Sequence, residues 1–303
     1  NTPVLGPWSH QSPATCPLLV FYRGPDSMIP CVRPRALRRL CLALCLAPFA
    51  LDAQATRRIA GFGLAYTAPS GWTLAGADGR VEAWSRSGSE GALIVYGGMY
   101  STAPFAIADG GALLQGAQFR DAPTVLEPLT QRRIGGVDLW SSAMRVHTPA
   151  GEVVIVRMLA RPADNETMLG VVTMAAPPAD SAFREAAQQL LGTLRSGTPV
   201  DDRAAITAVA GAWRWQESNM SANGGYVNEE GWDLAADGTF AHWTTSAVSL
   251  PGSAVEPTRT RQTGRWSVMG GALVVRATDG VTTLSLRHQG REANIAGRRF
   301  LRR

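Results

Sequence analysis

Alternation of apolar and polar side chains is the main pattern along this chain, and a period of two predicts β-strands with one buried face. In the first half it marks segment 62–67, and β-type runs predict further strands at 81–85, 92–100, 137–147, 152–160 and 167–175. Turn-forming residues such as Pro149-Ala150-Gly151 separate these segments. Strands joined by short turns of this kind predict an antiparallel sheet.

Segment 180–195 has the period of an α-helix instead. Asp180 or Ser181 is expected to cap the free N–H groups at its start. Its apolar residues fall on a single stripe, which comprises Phe183, Ala187, Leu190, Leu191 and Leu194. A second helix is predicted over 104–119, although Gly110 and Gly111 weaken it. Helices with one apolar stripe are expected to cover the sheet, so the first half is predicted to be α+β.

The second half, 203–303, has no helical pattern and carries about eight short strands. The turns between them include Asp237-Gly238, Gly270-Gly271 and Asp279-Gly280, and such pairs favour β-hairpins. Consecutive hairpins form a meander, and closing it into a small up-and-down barrel removes the exposed strand edges. The polar, proline-containing stretch 197–202 is predicted to link two domains at 56–196 and 203–303.

The segment before residue 56 predicts export. Four arginines precede the apolar run 40–51, and Ala53-Gln54-Ala55 is an A-x-A cleavage site, so 28–55 has the pattern of a secretory signal peptide. The run is shorter than the roughly 20 residues that span a bilayer. Residues 1–27 are interpreted as an upstream segment without structure. We therefore expect a periplasmic or secreted protein with no transmembrane segment after cleavage.

The composition after the cleavage site narrows the function classes. All 29 basic residues of the chain are arginine, which is typical of GC-rich bacterial coding and excludes a lysine nucleophile. The part after residue 55 has 24 arginines against 22 acids, a balance that does not favour nucleic acid as a partner. Cys16, Cys31, Cys41 and Cys45 all precede the cleavage site. The exported protein therefore has no disulfide, thiol nucleophile or thiolate metal ligand.

Candidate catalytic chemistry is sparse. His147, His242 and His288 have no metal-ligand spacing, and no G-x-S-x-G motif is present. Neither a metal site nor a serine hydrolase is favoured, and no cofactor is expected. Glu229-Glu230 and Asp201-Asp202 are adjacent pairs, and strand neighbours point to opposite faces, so we interpret both as solvated turns rather than acid–base pairs.

Tryptophans are concentrated in the second half. Trp213, Trp215, Trp232, Trp243 and Trp266 are five of the nine in the chain. Such a set can fill the core of a small barrel or line a ligand-binding face. We favour the core for the set as a whole and expect Trp215, Trp232 and Trp243 to be partly free. Together with His242, which is adjacent to Trp243, these three tryptophans are the candidate ligand-binding residues.

The first half carries the motif Tyr66-Thr67-Ala68-Pro69-Ser70-Gly71-Trp72 near its start and an amphipathic helix at its end. With the order of its strands and helices, this segment resembles the PsbP/Mog1-like family, which includes periplasmic proteins of the DcrB kind. The resemblance implies an α/β sandwich that acts through protein contacts. It carries over no catalytic residue.

The second half resembles a small lipocalin-like barrel of the calycin type. Gly211-Ala212-Trp213 matches the Gly-x-Trp of the first strand in that group. The resemblance implies that a basic side chain from the last strand packs over Trp213, and Arg298 or Arg299 is expected to supply it through a cation–π contact. The segment is short for a lipocalin, and side chains can fill the interior of a narrow barrel.

We therefore predict a non-catalytic exported protein that binds an envelope protein or a small apolar ligand. The alternative is a hydrolase-type enzyme with a site between the domains, built on His147 or His242. Convergent polar side chains in a deep cleft would favour the enzyme. A filled barrel would favour the binding protein.

Overall fold

The computed structural model describes residues 56–114, 119–134, 136–221, 224–250, 253–254 and 257–303. The predicted upstream segment 1–27 and signal peptide 28–55 lie outside the described residues. So does the stretch 115–118 near the end of the predicted helix 104–119.

The first half contains nine strands and two α-helices among the described residues. The strands are β1 (Thr56–Ile59), β2 (Leu64–Thr67), β3 (Trp72–Asp78), β4 (Val81–Arg86), β5 (Gly91–Met99), β6 (Thr124–Ile134), β7 (Val137–His147), β8 (Val153–Pro162) and β9 (Thr167–Ala175). The helices are α1 (Ala103–Ala112) and α2 (Asp180–Gly192), the latter preceded by a 3-10 turn at Pro177–Ala179.

The second half begins with helix α3 (Arg203–Val209) and continues with strands throughout. These are β10 (Gly211–Ser221), β11 (Gly224–Leu234), β12 (Thr239–Leu250), β13 (Ser253–Ala254), β14 (Thr258–Met269), β15 (Ala272–Ala277), β16 (Gly280–Gln289), β17 (Glu292–Ile295) and β18 (Arg298–Arg302).

The N-terminal sheet has seven antiparallel strands in the order β3-β4-β5-β9-β8-β7-β6. Alternate residues of β5 send Leu93 and Val95 to one face and Tyr96 to the other. Helix α2 packs on the first face through Phe183, and helix α1 packs on the second through Ala106. The predicted α+β fold, an antiparallel sheet covered by helices, is therefore confirmed.

The start of α2 differs from the prediction. Its N-cap is Ala179, without a side-chain hydrogen bond, because the 3-10 turn runs directly into the helix. The carboxylate of Asp180 instead accepts a hydrogen bond from Arg157 Nη2 at 2.9 Å. Strands β1, β3 and β6 were not predicted from the sequence. Of these, β3 and β6 are the two edge strands of the seven-stranded sheet, and edge strands need no clean alternation because one or both faces stay in water.

The second half forms a closed barrel of eight antiparallel strands. Consecutive strands pair from β10 to β18, with the two-residue β13 attached to β12 outside the ring. The ring closes where β18 pairs with β10, with Trp213 opposite Arg302. The predicted up-and-down barrel is therefore confirmed.

Helix α3 was not predicted from the sequence. It has seven residues, too few to display a helical period, and it begins where Asp202 Oδ1 accepts a hydrogen bond from Ala205 N at 2.9 Å. Its last residue, Val209, is buried in the barrel core. The helix therefore covers one end of the barrel.

Strand β15 of the barrel packs against the barrel core on one face and against the N-terminal half on the other. Its Leu273 and Val275 face the barrel core, whereas Ala272 and Val274 belong to the same apolar cluster as the N-terminal sheet. Thr283 of the neighbouring β16 is tied to the N-terminal half, because its hydroxyl accepts from Met99 N at 2.7 Å and donates to Met99 O at 3.0 Å. Both faces of β15 are thus buried.

Candidate functional site

Aromatic rings fill the interior of the barrel. Trp213 and Phe300 are fully buried, and Trp232, Phe240 and Trp266 are each only 4% exposed. Leucine, isoleucine and valine side chains of the other strands complete this cluster. Eight-stranded barrels have interiors that side chains can fill completely, and this one holds a packed core.

Trp213 closes the end of the barrel that lies beneath α3. Its Nε1–H donates to Val209 O at 2.8 Å, and the ring of His288 meets it edge-on at 5.5 Å. The cation over its face is Arg302, 4.7 Å from the ring centroid, and not Arg298 or Arg299 as predicted. The register explains the difference, since Arg302 lies directly opposite Trp213 in the β10–β18 pair.

A charged cluster lies at the opposite end, around Glu230 of β11. Glu230 Oε1 is 3.0 Å from His242 Nε2 and accepts from Trp232 Nε1 at 3.3 Å. Its Oε2 accepts from Arg298 Nη1. The His242 ring stacks on Trp232 with centroids 4.0 Å apart, and the Arg298 guanidinium lies 4.6 Å from the centroid of Trp215. We call these five residues the Glu230 cluster.

The Glu230 cluster keeps one carboxylate charged although it is largely buried. The Glu230 side chain is 11% exposed and that of Arg298 is 39% exposed. Burial opposes ionisation, but the hydrogen bond from His242 and the charge of Arg298 outweigh it and lower the pKa of Glu230. Arg298, which begins β18, is the most exposed of the charged groups in the cluster.

Acid is expected to destabilise the barrel through Glu230. A carboxyl whose pKa is lower in the folded than in the unfolded state stabilises the fold above its unfolded pKa, and this contribution is lost as the pH falls through the folded pKa. We expect Glu230→Gln to reduce the fall in melting temperature below about pH 4.5, the ordinary value for this group. Thermal melts of the parent and the variant from pH 7 to pH 3 measure this. Identical pH profiles would contradict a charged, stabilising Glu230.

A second stacked pair lies on the outer face of the same strands. Trp243 is half-buried, and the guanidinium of Arg214 lies 5.2 Å from its ring centroid. Arg214 Nη2 donates to Asp233 Oδ1 at 2.6 Å, which fixes its position. The ring of Trp243 lies directly against Gly231, where a Cβ atom would collide with it. The ring of Trp243 can therefore pack against β11 only because residue 231 has no side chain.

The four candidate ligand-binding residues divide between two faces. Trp215, Trp232 and His242 meet in the Glu230 cluster, whereas Trp243 lies on the outer face with Arg214. Trp215 and Trp243 are half-buried, but Trp232 is buried, so the expectation that it is partly free is wrong. Trp232 points inward because it alternates with Gly231 along β11, and the core closes over it.

Sequence reasoning missed Glu230, which it placed in a solvated turn. Glu230 lies within β11, opposite Trp215 on one side and Thr244 on the other. Its position two residues before Trp232 was the available signal, since a period of two puts both on the inner face. Arg299 has a different role, because its side chain pairs with Glu292 on the neighbouring strand.

The two histidines of the enzyme alternative lie in different halves. His147 ends β7 and is 3.5 Å from Asp121, with both side chains exposed. His242 has Glu230 as its hydrogen-bond partner. Within residues 56–303, outside the gaps already given, no group of three or more His, Cys, Asp or Glu side chains is placed to hold a metal ion.

Comparisons with known proteins return structures but no sequence family. No family model matches the chain, and no curated protein matches it significantly. The solved structures that are similar include cyanobacterial PsbP (CyanoP) from Synechocystis, 12% identical, with a TM-score of 0.35 over 50% of this chain and 98% of that one. LpqN of Mycobacterium tuberculosis, described as involved in cell envelope biogenesis, is 11% identical, with a TM-score of 0.33 over 49% of this chain and 88% of that one.

The class of the fold follows from the strand orders themselves. A seven-stranded antiparallel sheet with one helix on each face precedes a closed eight-stranded barrel. The chain thus joins an α+β sandwich to a small up-and-down barrel, the two folds that the resemblances implied. In the described part of the chain, no helix has the length and apolar character needed to cross a bilayer.

Proposed function

We propose that this chain is a non-catalytic binding protein of the cell envelope whose binding surface is the end of the barrel that carries the Glu230 cluster. In this proposal residues 56–196 form one domain, 197–202 link it to the next, and residues 203–303 form the binding domain. Export to the periplasm or beyond rests on the signal-peptide pattern of segment 28–55.

One observation carries the proposal: two half-buried tryptophans, each covered by an arginine, lie on strands that extend past the packed core. Arg298 covers Trp215 on the inner face and Arg214 covers Trp243 on the outer face. Strands β10, β11, β12 and β14 have 11 or 12 residues, whereas β15, β17 and β18 have 4 to 6. Trp and Arg are the residues that most often dominate the binding energy of protein interfaces.

A protein partner fits this end of the barrel better than a small apolar ligand does. A small apolar ligand needs an unfilled apolar cavity, but Trp213, Trp232 and Phe300 occupy the barrel core. The inner face of the long strands is polar beyond this core, with Thr244 bonded to Thr260 and Ser246 bonded to Asn228. Half-exposed aromatic rings with a polar surround are typical of protein interfaces.

The hydrolase-type alternative lacks a nucleophile beside its histidine. The Glu230–His242 pair, 3.0 Å apart, is the observation in its favour, because a carboxylate commonly orients a catalytic histidine. Among the described residues, however, no serine or threonine hydroxyl donates a hydrogen bond to His242. Thr244 and Thr260 bond to each other at 2.6 Å instead.

Site-specific photocross-linking in the native host tests the proposal. A photoreactive residue in place of the exposed Gln216, in the full chain, is expected to give a discrete adduct with one envelope protein. Trp215→Ala or Trp243→Ala should reduce that adduct about tenfold, as expected for hot-spot residues. The control position is Gln131, exposed on β6. Equal labelling from both positions, or an adduct that survives both tryptophan variants, would contradict a binding surface at this end.

A further inference from the structure

The outer face of β11, β12 and β14 forms a groove of about 430 Å³. Trp243 lies at one end of it, and the arginines Arg259 and Arg261 of β14 line one wall. Arg261 is opposite Trp243 in the β12–β14 register, and Arg259 is opposite Thr245. The groove is therefore bounded by one flat aromatic ring and two cations on a single strand.

The two arginines of the wall are exposed, and neither has an ion pair with any residue between 56 and 303 that the structure describes. They lie two residues apart on β14 and so project from the same face, roughly 6.6 Å apart along the strand. Arg214, in contrast, is balanced by Asp233. Glu229, on the opposite wall, is the acidic residue of the lining, so the groove carries a net positive charge.

The spacing of Arg259 and Arg261 matches the spacing of side chains in an extended peptide. An extended peptide places alternate side chains on one face at the same interval of roughly 6.6 Å. Carboxylates at positions i and i+2 of such a segment can therefore meet Arg259 and Arg261 together. Guanidinium groups bind carboxylates through paired, charge-assisted hydrogen bonds, and Trp243 offers an apolar surface to a neighbouring side chain.

We propose that this groove binds an extended acidic segment of a protein partner, with carboxylates two residues apart on Arg259 and Arg261. The inference rests on the proposed function and names the chemistry of its partner. A flat anionic membrane is the less suitable occupant, because Arg259 and Arg261 line a groove rather than a flat surface. Trp243, which packs against Gly231, sets the position of the bound segment relative to the two arginines.

Binding of a defined peptide to the purified exported chain tests the inference. The probe is a fluorescent seven-residue peptide of alternating aspartate and leucine, and the control probe has asparagine in place of aspartate. We expect R259Q/R261Q to weaken binding of the acidic probe about tenfold, and added 0.3 M NaCl to weaken binding to the parent protein, because screening acts on exposed charges. The matched control is R132Q/R133Q, which removes two exposed arginines of β6 in the other half.

Each outcome decides the inference. Loss of binding in R259Q/R261Q alone, with no binding of the asparagine probe, supports it. Equal affinities of the parent and R259Q/R261Q would overturn it, and so would binding of phosphatidylglycerol vesicles by the parent without binding of the peptide. Failure of the peptide while the cross-link from position 216 persists removes this inference only. Loss of that cross-link removes the proposed function itself.

Discussion

Trp213→Ala is expected to unfold the barrel. The side chain is fully buried, its indole N–H holds Val209 O, and Arg302 is stacked on its face. Truncating a buried tryptophan typically costs about 3–5 kcal/mol, out of the roughly 5–15 kcal/mol by which domains are stable. The variant also removes the hydrogen bond from the Trp213 indole to Val209 O of α3, so water would enter this end of the barrel core.

Trp243→Ala is the matched control for Trp213→Ala. It removes the same ring from the same barrel, but at a half-buried position on the outer face. Thermal and urea unfolding followed by circular dichroism compares the two variants with the parent. We expect a large loss of stability for Trp213→Ala and a small one for Trp243→Ala. A Trp213→Ala protein that melts with the parent would show that the lipocalin-like end closure does not hold the barrel together.

Asp109→Ala is expected to destabilise the N-terminal half by about 3–5 kcal/mol, because it leaves a buried charge without its partner. Asp109 of α1 and Arg80, in the turn before β4, have side chains only 8% and 4% exposed. Arg80 Nη2 donates to Asp109 Oδ1 at 2.9 Å, and its Nη1 donates to Gly97 O at 3.0 Å. Burial raises the pKa of Tyr100, which donates its hydroxyl to the same carboxylate. This network fastens α1 to the sheet.

The double variant Arg80→Met/Asp109→Leu separates the charge from the packing. Replacing a buried ion pair with apolar side chains of similar size is often neutral or stabilising, so the double variant should recover most of the stability lost by Asp109→Ala. Asp138→Ala, at an exposed position of β7, should change stability by less than about 0.5 kcal/mol. Urea unfolding measures all three. A parent-like Asp109→Ala would mean that Arg80 finds another partner when the carboxylate is gone.

The period of the apolar residues predicted the strands and helices that bury one face. It did not predict exposed edge strands or very short helices. The alternation of β7 and the apolar stripe of α2 located those elements to within a few residues. The edge strand β6 leaves both Val125 and Leu126 exposed, so its sequence has no period to detect. Helix α3 is too short for one, and only its Asp202 cap marks it.

Only part of the candidate site was predictable from the sequence. The remaining contacts depend on the register between strands that are far apart in the chain. Trp215 and Trp232 were identified only because tryptophan is concentrated in the second half of the chain. The pairing of Glu230 with Arg298 joins residues 68 positions apart, and it depends on how the last strand closes the barrel. The choice of Arg302 over Arg298 at Trp213 depends on the same closure. A sequence pattern describes one strand at a time and does not give the register between distant strands.

The buried strand β15 has a mechanical consequence. The halves cannot swing about segment 197–202 unless Ala272 and Val274 are exposed to water, and Val200 N and Asp202 N are themselves bonded to Gly61 O and Val268 O. A pull on a partner held by the long strands would pass through the barrel wall and the Met99–Thr283 hydrogen bonds into the seven-stranded sheet. The two halves would then move together. A partner bound by the long strands would stay at a constant distance from any molecule that the N-terminal half contacts.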